Sequence, residues 1–454
     1  MMRLSEAAVA LQGQLRGQDA EFRGVSTDSR SVQPGDLFVA LRGERFDGHA
    51  YVEECLNKGA AAVMVDENAS ALTPALQVTD TRLGLGQLAA YWRSKFDIPF
   101  AAITGSNGKT TVKEMLASIL RTAAGKDELV LSTQGNLNND IGLPQTLLRL
   151  NHEHRFAVVE MGMNHEGEIS YLTRLAKPTV ALVNNATLAH LGGLGSVEAI
   201  ARAKGEIFEG LAESGTAIIN ADDAYANFWR KLTPSHVVMT FGLKNTADVS
   251  TAYKLGPDAS ELMLHTPQGN IEVQLPAAGL HNVSNALAAT AAALSMNIPL
   301  PMIAQGLAAF GGVKGRLQRK PGFNDALVLD DTYNANPASM KAAIDVLAAR
   351  GGTRLLVLGD MGELGADAAQ LHAEIGRYAR QAGIEGLYTL GDLSREMSKA
   401  FGSEARHYET PELLAVDLKV YMNTSTTVLV KGSRFMRMER VVGLIGAEKK
   451  EGEL

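Results

Sequence analysis

Gly105-Ser106-Asn107-Gly108-Lys109-Thr110-Thr111 stands between Phe100-Ala101-Ala102-Ile103 and a run in which Val112, Met115, Leu116, Ile119 and Leu120 are apolar. The first stretch is short, continuous and apolar, as a buried strand is. The second recurs at the spacing of one helix face. Strand, glycine loop and helix in that order predict a phosphate-binding loop. Its glycines let backbone N–H groups turn toward a polyphosphate, and the helix N-terminus adds partial positive charge. In such a loop Lys109 reaches the β/γ-phosphates and the Thr110 hydroxyl ligates Mg²⁺. The spacing departs from the general pattern. Only Ser106 and Asn107 separate Gly105 from Gly108-Lys109, and Ile103 sits where the usual first glycine falls. The competing reading, a glycine turn with a surface lysine, leaves the agreement of strand, loop and helix unexplained.

Working outward, 454 residues are too many for one ordinary core, so several domains are expected. A 46% hydrophobic, 20% charged composition is that of a globular chain. The net charge of −7 argues against a nucleic-acid partner. Cys55 is the only cysteine, so no internal disulfide forms and a reducing, cytoplasmic compartment is expected. Met1 to Leu15 lacks an apolar stretch of signal-peptide length, and no apolar run approaches the roughly 18 residues that span a bilayer.

Strand-like and helix-like stretches alternate along the chain. Up to residue 82 the expected strands are Leu37 to Leu41 and Ala61 to Val65, with a helix from Ala50 to Lys58. Residues 83–314 hold the phosphate loop and strands at Phe156 to Glu160, Thr179 to Asn184 and Thr216 to Asn220. From 315 onward, strands are expected at Ala326 to Asp330, Arg354 to Leu358, Gly386 to Leu390 and Thr427 to Val430. Such alternation predicts α/β domains with mostly parallel sheets.

Several residues could carry chemistry. Glu160 closes a strand beside the phosphate loop, where a carboxylate can hold Mg²⁺. His190 follows a strand of the same sheet and is a candidate second ligand. On the helix expected from Val197 to Leu211, Lys204 falls within the stripe of Val197, Ile200, Ile207, Phe208 and Leu211. A lysine there loses hydration, which favours the neutral amine, and a neutral amine can take up CO₂ as a carbamate. The plain alternative is a lysine whose stem covers the core while its tip reaches water. Asn136, Asn138 and Asn139 fill a run of amides and glycines suited to a polar substrate or to phosphate, or to a simple turn. Asn282 could meet a base edge, and Asn285 could be no more than the cap of a helix from Ala286 to Ser295. Three further polar clusters follow strands: Asp331 to Pro337, with Asn334 and Asn336; Gly359 to Gly365; and Lys431 to Arg434. Ligands of open α/β sheets lie outside such carboxyl ends.

Together these motifs resemble the Mur ligases over nearly the whole chain, in order. The shortened loop Thr104 to Thr111, the Asn-rich run, Glu160, His190, Lys204, His281-Asn282 and Asp331 carry the resemblance. Folylpolyglutamate synthetases share part of the set. Ser26-Thr27-Asp28-Ser29-Arg30, Pro34 to Ala40 and Phe46-Asp47-Gly48-His49 look like a UDP-sugar-binding domain of the family. Tyr333 to Pro337 and Lys431 to Arg434 are similar to its D-alanyl-D-alanine-adding members, and the Asp-Asn-Pro-Arg motif of its diaminopimelate-adding members is absent. The resemblance implies three domains: a UDP-binding α/β unit (1–82), a central P-loop parallel-sheet domain (83–314) and a Rossmann-like unit (315–454). It implies an ATP-dependent ligase that activates the carboxylate of a UDP-N-acetylmuramoyl-tripeptide as an acyl phosphate for attack by D-alanyl-D-alanine. Gly105, Ser106, Asn107, Gly108, Lys109, Thr110 and Thr111 would then bind ATP together with Asn282, Arg316 and Asp331. Two Mg²⁺ ions would be held by Thr110, Glu160, His190 and a carbamylated Lys204. Ser29, Arg30 and His49 would meet the uridine diphosphate, and Asn136, Asn138, Asn139, Asn334 and Asn336 the substrate. A monomer in the bacterial cytoplasm is expected. The alternatives are a ligase adding a diamino acid to the dipeptide precursor, and a nucleotide-binding regulatory protein without ligase activity.

Overall fold

The computed structural model describes residues 1–67, 72–187 and 194–447. Its strands assemble into three main sheets in successive stretches of chain. The first runs in the order Gln14–Arg16, Ala75–Val78, Ala62–Asp66, Asp36–Val39, Gly24–Ser26, parallel except for its antiparallel first member. The second is wholly parallel, in the order Val130–Ser132, Phe156–Glu160, Phe100–Thr104, Val180–Val183, Thr216–Asn220, Val237–Phe241. The third runs Gln318–Pro321, Leu327–Asp331, Thr426–Lys431, Thr353–Gly359, Gly386–Leu390, Ala405–Tyr408, again parallel except for its first strand. The helix Ala50 to Lys58 expected from sequence is a 3₁₀ turn, Gly48–Tyr51, followed by a short helix, Val52–Asn57.

A fourth sheet departs from the expected alternation. Ser250–Leu255, Ser260–Thr266 and Gly269–Leu275 pair antiparallel. One face of it, through Leu262, Leu264, Val273 and Leu275, shares a core with the alanine-rich helix Leu280–Ser295 and the phosphate-loop helix Lys109–Ala124. The opposite face of the central sheet joins the N-terminal sheet in one continuous apolar cluster. Leu85, Leu88 and Trp92 of the helix Thr81–Arg93 belong to that cluster, so the expected division after residue 82 falls inside this helix.

The order of the central strands positions the site. The chain leaves Phe100–Thr104 toward one edge, returns to build Phe156–Glu160 beside it, then continues on the other side from Val180–Val183. A crevice therefore opens at the carboxyl ends around the phosphate loop. The helix following the loop buries Val112, Met115, Leu116, Ile119 and Leu120, which explains its apolar stripe. The helix expected over Val197 to Leu211 is instead α-helical only at Val197–Gly205 and tightens to 3₁₀ at Glu206–Gly210. Contacts with the helix Glu168–Ala176 account for the change: Glu206 accepts from the Gly167 and Ser170 N–H groups at 2.8 and 3.0 Å, and the Thr173 hydroxyl donates to Ile207 O at 2.7 Å.

Candidate active site

Gly105 and Gly108 carry the bends of the phosphate loop, with φ of +156° and +80°. Gly108 permits no side chain: a Cβ there would lie 2.3 Å from Asn285 Oδ1 and 2.5 Å from Asn184 Nδ2. Three asparagines form the loop's underlay. Asn184 Nδ2 donates to Asn107 O (2.9 Å) and to Asn285 Oδ1 (3.1 Å), and Asn185 Oδ1 accepts from the Asn107 N–H (2.8 Å). Asn285 is consequently no cap. The helix begins at Leu280 behind Gly279, and Asn285 lies buried within it, donating to Asn282 Oδ1 at 3.3 Å. Sequence reading gave Asn184, Asn185 and Thr187 no part in the loop, yet Thr187 also holds Ser106 and Asn107. Only the Asn-Asn pair after a strand of the same sheet hinted at them.

Lys109 Nζ donates to Gly105 O at 2.7 Å. Burial pushes its ammonium below the usual lysine range, with Glu160 opposing that shift and Arg316 adding to it. The Thr110 hydroxyl donates to Glu160 Oε2 (2.8 Å) and accepts from Arg316 Nη2 (2.9 Å). Asn138 Nδ2 donates to the other carboxylate oxygen, Oε1, at 2.8 Å. The Glu160 residue is buried, as are Thr110 and Asp331. Asp331 accepts from Lys431 Nζ at 2.6 Å and from the Leu317 N–H at 3.1 Å. Arg316 stacks over Tyr333 at 4.4 Å, and its Nε is a buried donor without an acceptor among the described residues.

Lys204 is 2% exposed. Burial, with a smaller push from Lys109, lowers its pKa well below the ordinary value. It lines a cleft of about 1100 Å³ together with Lys109, Glu160, Asn136, Asn138, Asn139, Arg316, Asp331, Asn334 and Asn336. The third sheet thus contributes to one space with the second. Asn336 shows how: it caps the helix Pro337–Ala348 by accepting from the Ser339 N–H, and its Nδ2 donates to Asn107 Oδ1 at 2.8 Å. A second cavity of about 660 Å³ continues from Asn107 and Gly108 past Asn282 and His281 to Arg350. Thr111 lines this second cavity. Asn139 also serves its own turn, accepting from the Gly142 N–H at 2.8 Å.

Ser29, Arg30 and His49 lie in the N-terminal unit and line neither cavity. Arg30 is paired with Asp28 at 2.6 Å. His49 is fixed at both ring nitrogens, Nδ1 on Asp47 at 2.6 Å and Nε2 accepting from the Asp66 N–H at 3.1 Å. His190, the remaining expected ligand, lies outside the described residues. Among the described residues no three His, Cys, Asp or Glu side chains gather at one point, and no helix is long and apolar enough to cross a membrane.

Comparison with known proteins gives a consistent picture. Three family models match: the Mur ligase family catalytic domain over residues 21–93, the Mur ligase middle domain over 103–293 and the Mur ligase glutamate ligase domain over 315–434. The UDP-N-acetylmuramoyl-tripeptide–D-alanyl-D-alanine ligase of Escherichia coli (strain K12) is 44% identical over 443 residues, covering 97% of each chain. The crystal structure of MurF from Acinetobacter baumannii superposes with a TM-score of 0.91 at 38% identity, covering 97% of this chain and 98% of that one. MurF ligase from Thermotoga maritima in complex with ADP gives a TM-score of 0.82 at 26% identity, covering 94% and 98%.

Proposed function

The chain belongs to the Mur ligase family, and from that premise we propose how its residues divide the work of an ATP-dependent ligase that joins D-alanyl-D-alanine to UDP-N-acetylmuramoyl-tripeptide. A carboxylate at neutral pH is a poor electrophile. Transfer of the γ-phosphoryl group makes it an acyl phosphate, and the dipeptide amine then displaces phosphate to form the amide. Catalysis of this kind is mainly positioning and charge neutralisation.

The contact Thr110–Glu160, with Arg316 on the same hydroxyl, is the observation that carries the assignment. It brings a phosphate-loop hydroxyl, a strand-end carboxylate and a cation from beyond the central sheet to one point. A hydroxyl and a carboxylate 2.8 Å apart are hard oxygen donors of the kind Mg²⁺ takes alongside nucleotide phosphates, so the residues fit that ion. Bound there, magnesium would supply Lewis-acid polarisation of a phosphoryl oxygen. Lys109 would leave Gly105 O for the β/γ-phosphates. Arg316, with its unused Nε, would meet a phosphate oxygen. Asn282 and His281 would flank the base in the second cavity, and Asp331 would orient the nucleotide from the third sheet.

Lys204 supplies the second reading of charge. As a neutral amine it can attack CO₂, forming an N–C bond and releasing a proton, which leaves an anionic carbamate in the cleft. His190 would join it in holding a second magnesium ion. Residues 1–82 would seat the uridine diphosphate through Ser29, Arg30 and His49. Asn136, Asn138, Asn139 and Asn334 would meet the peptide or the incoming dipeptide. A monomer working in the cytoplasm completes the reading.

The test is ADP release with UDP-N-acetylmuramoyl-tripeptide and D-alanyl-D-alanine both present, against the same assay with single amino acids or diamino acids. Turnover only with the dipeptide supports the assignment; turnover with a diamino acid on the dipeptide precursor would transfer the chain to the neighbouring step.

A further inference from the structure

Lys113 is a buried cation that the chemistry above leaves unused. It lies one helical turn beyond Lys109, and its side chain is 1% exposed. A lysine on a buried helix face ordinarily sends its ammonium out to water. This one turns inward. Its Nζ donates to Thr133 O at 2.9 Å and pairs with the neighbouring Glu114. A methionine would fill the same space without the cost of desolvating a charge.

Thr133 is as buried as Lys113 and sits where the strand Val130–Ser132 gives way to the Asn-rich loop. Its N–H donates to Val158 O at 3.2 Å, and its Oγ1 accepts the backbone N–H of Glu160 at 3.0 Å. A chain of hydrogen bonds therefore runs from the phosphate-loop helix through Thr133 to the backbone of Glu160. The Glu160 side chain returns to the same helix at Thr110. The circuit fixes the carboxylate relative to the hydroxyl from two sides.

We propose that Lys113 is a positioning residue for the Thr110–Glu160 pair, acting through Thr133. The inference rests on the reading that this pair binds a divalent cation with the nucleotide. Partners that orient metal ligands typically change metal affinity by about 10–100-fold when removed.

The experiment is Mn²⁺ titration of the full-length protein with saturating ADP, followed by electron paramagnetic resonance, beside steady-state kinetics. Lys113→Met removes the donor and keeps the stem. Thr133→Val removes the acceptor for Glu160, and Thr133→Ser keeps it. The metal dissociation constant should rise about 10–100-fold in Lys113→Met and in Thr133→Val and stay at the wild-type value in Thr133→Ser. The double variant Lys113→Met/Thr133→Val should be no weaker than either single one, because both interrupt one chain. The KM for D-alanyl-D-alanine should not change. An unaltered metal constant in folded Lys113→Met, or in Thr133→Val should the lysine variant not fold, overturns the inference alone. Additive losses in the double variant do the same. A wild-type protein with ADP that takes up no Mn²⁺ overturns the underlying assignment and the inference together.

Discussion

The Thr110 hydroxyl donates to Glu160 Oε2 at 2.8 Å although 50 residues separate them, and Arg316, 206 residues beyond Thr110, donates to that hydroxyl at 2.9 Å. The phosphate-loop helix, the central sheet and the segment leading into the third sheet thereby meet at one hydroxyl. Glu160→Gln keeps the shape and the bond to Thr110 while removing a negative charge. It should lower kcat/KM by roughly 100-fold or more, as the loss of a few kcal/mol of metal-assisted charge stabilisation requires. Steady-state ADP release with both peptide substrates checks this; the thermal midpoint should hardly move.

Gly108→Ala should disable nucleotide binding and destabilise the fold together. The backbone there is left-handed, at φ +80°, and the new methyl group would press on Asn285 and Asn184. Strain of this kind costs about 1–3 kcal/mol. Calorimetric titration with ADP and a thermal melt give the two readouts, and the effect should be present in both.

Lys204→Met should be more stable than the wild type near neutral pH in CO₂-free buffer. Burial lowers the lysine's folded-state pKa, so between that value and the ordinary one near 10.4 the unfolded chain binds more protons. The wild type therefore gains stability as pH rises through this window, and the methionine variant does not. The methionine variant's advantage is expected near pH 7 and should close toward pH 10. Denaturant melts across that range measure it; a gap independent of pH would show that the lysine is not the cause.

Asp258, in the turn between two antiparallel strands, bridges Arg350 and Arg319 of the third sheet's unit, the latter at 3.1 Å. Arg350 is nearly buried and its Nε has no acceptor among the described residues. Asp258→Asn leaves that charge without its partner, at a cost of about 1–3 kcal/mol. ADP should bind more weakly because the second cavity is bounded by all three residues. Titrations at low and high salt should show the wild-type advantage shrinking as salt rises.

The phosphate loop, Glu160 and Lys204 were legible because each is marked by local pattern: a strand-to-helix transition, a strand end and a position in a helical stripe. Residues whose role comes from distant chain were not. Asn184, Asn185 and Asn285 converge under Gly108 only once the parallel sheet and the alanine-rich helix are packed. Asn336 is expected from sequence only as part of a polar cluster after a strand; that it caps the helix Pro337–Ala348 and also bonds Asn107, 229 residues away, emerges only from the packing. The antiparallel sheet escaped notice because its first strand, Ser250–Leu255, carries polar residues on a largely exposed ribbon. The shortening of the Lys204 helix at Gly205 depends on Glu206 capping another helix, which no periodicity reports.

Under the proposed function the phosphate loop delivers a phosphoryl group to the peptide carboxylate before the amide forms. Tripeptide substrate labelled with heavy oxygen in the reacting carboxylate tests this directly, with the released phosphate read by mass spectrometry. One heavy oxygen should appear in each phosphate, since the acyl phosphate breaks between carbon and the bridging oxygen. Phosphate released without label, while amide accumulates, would contradict the account.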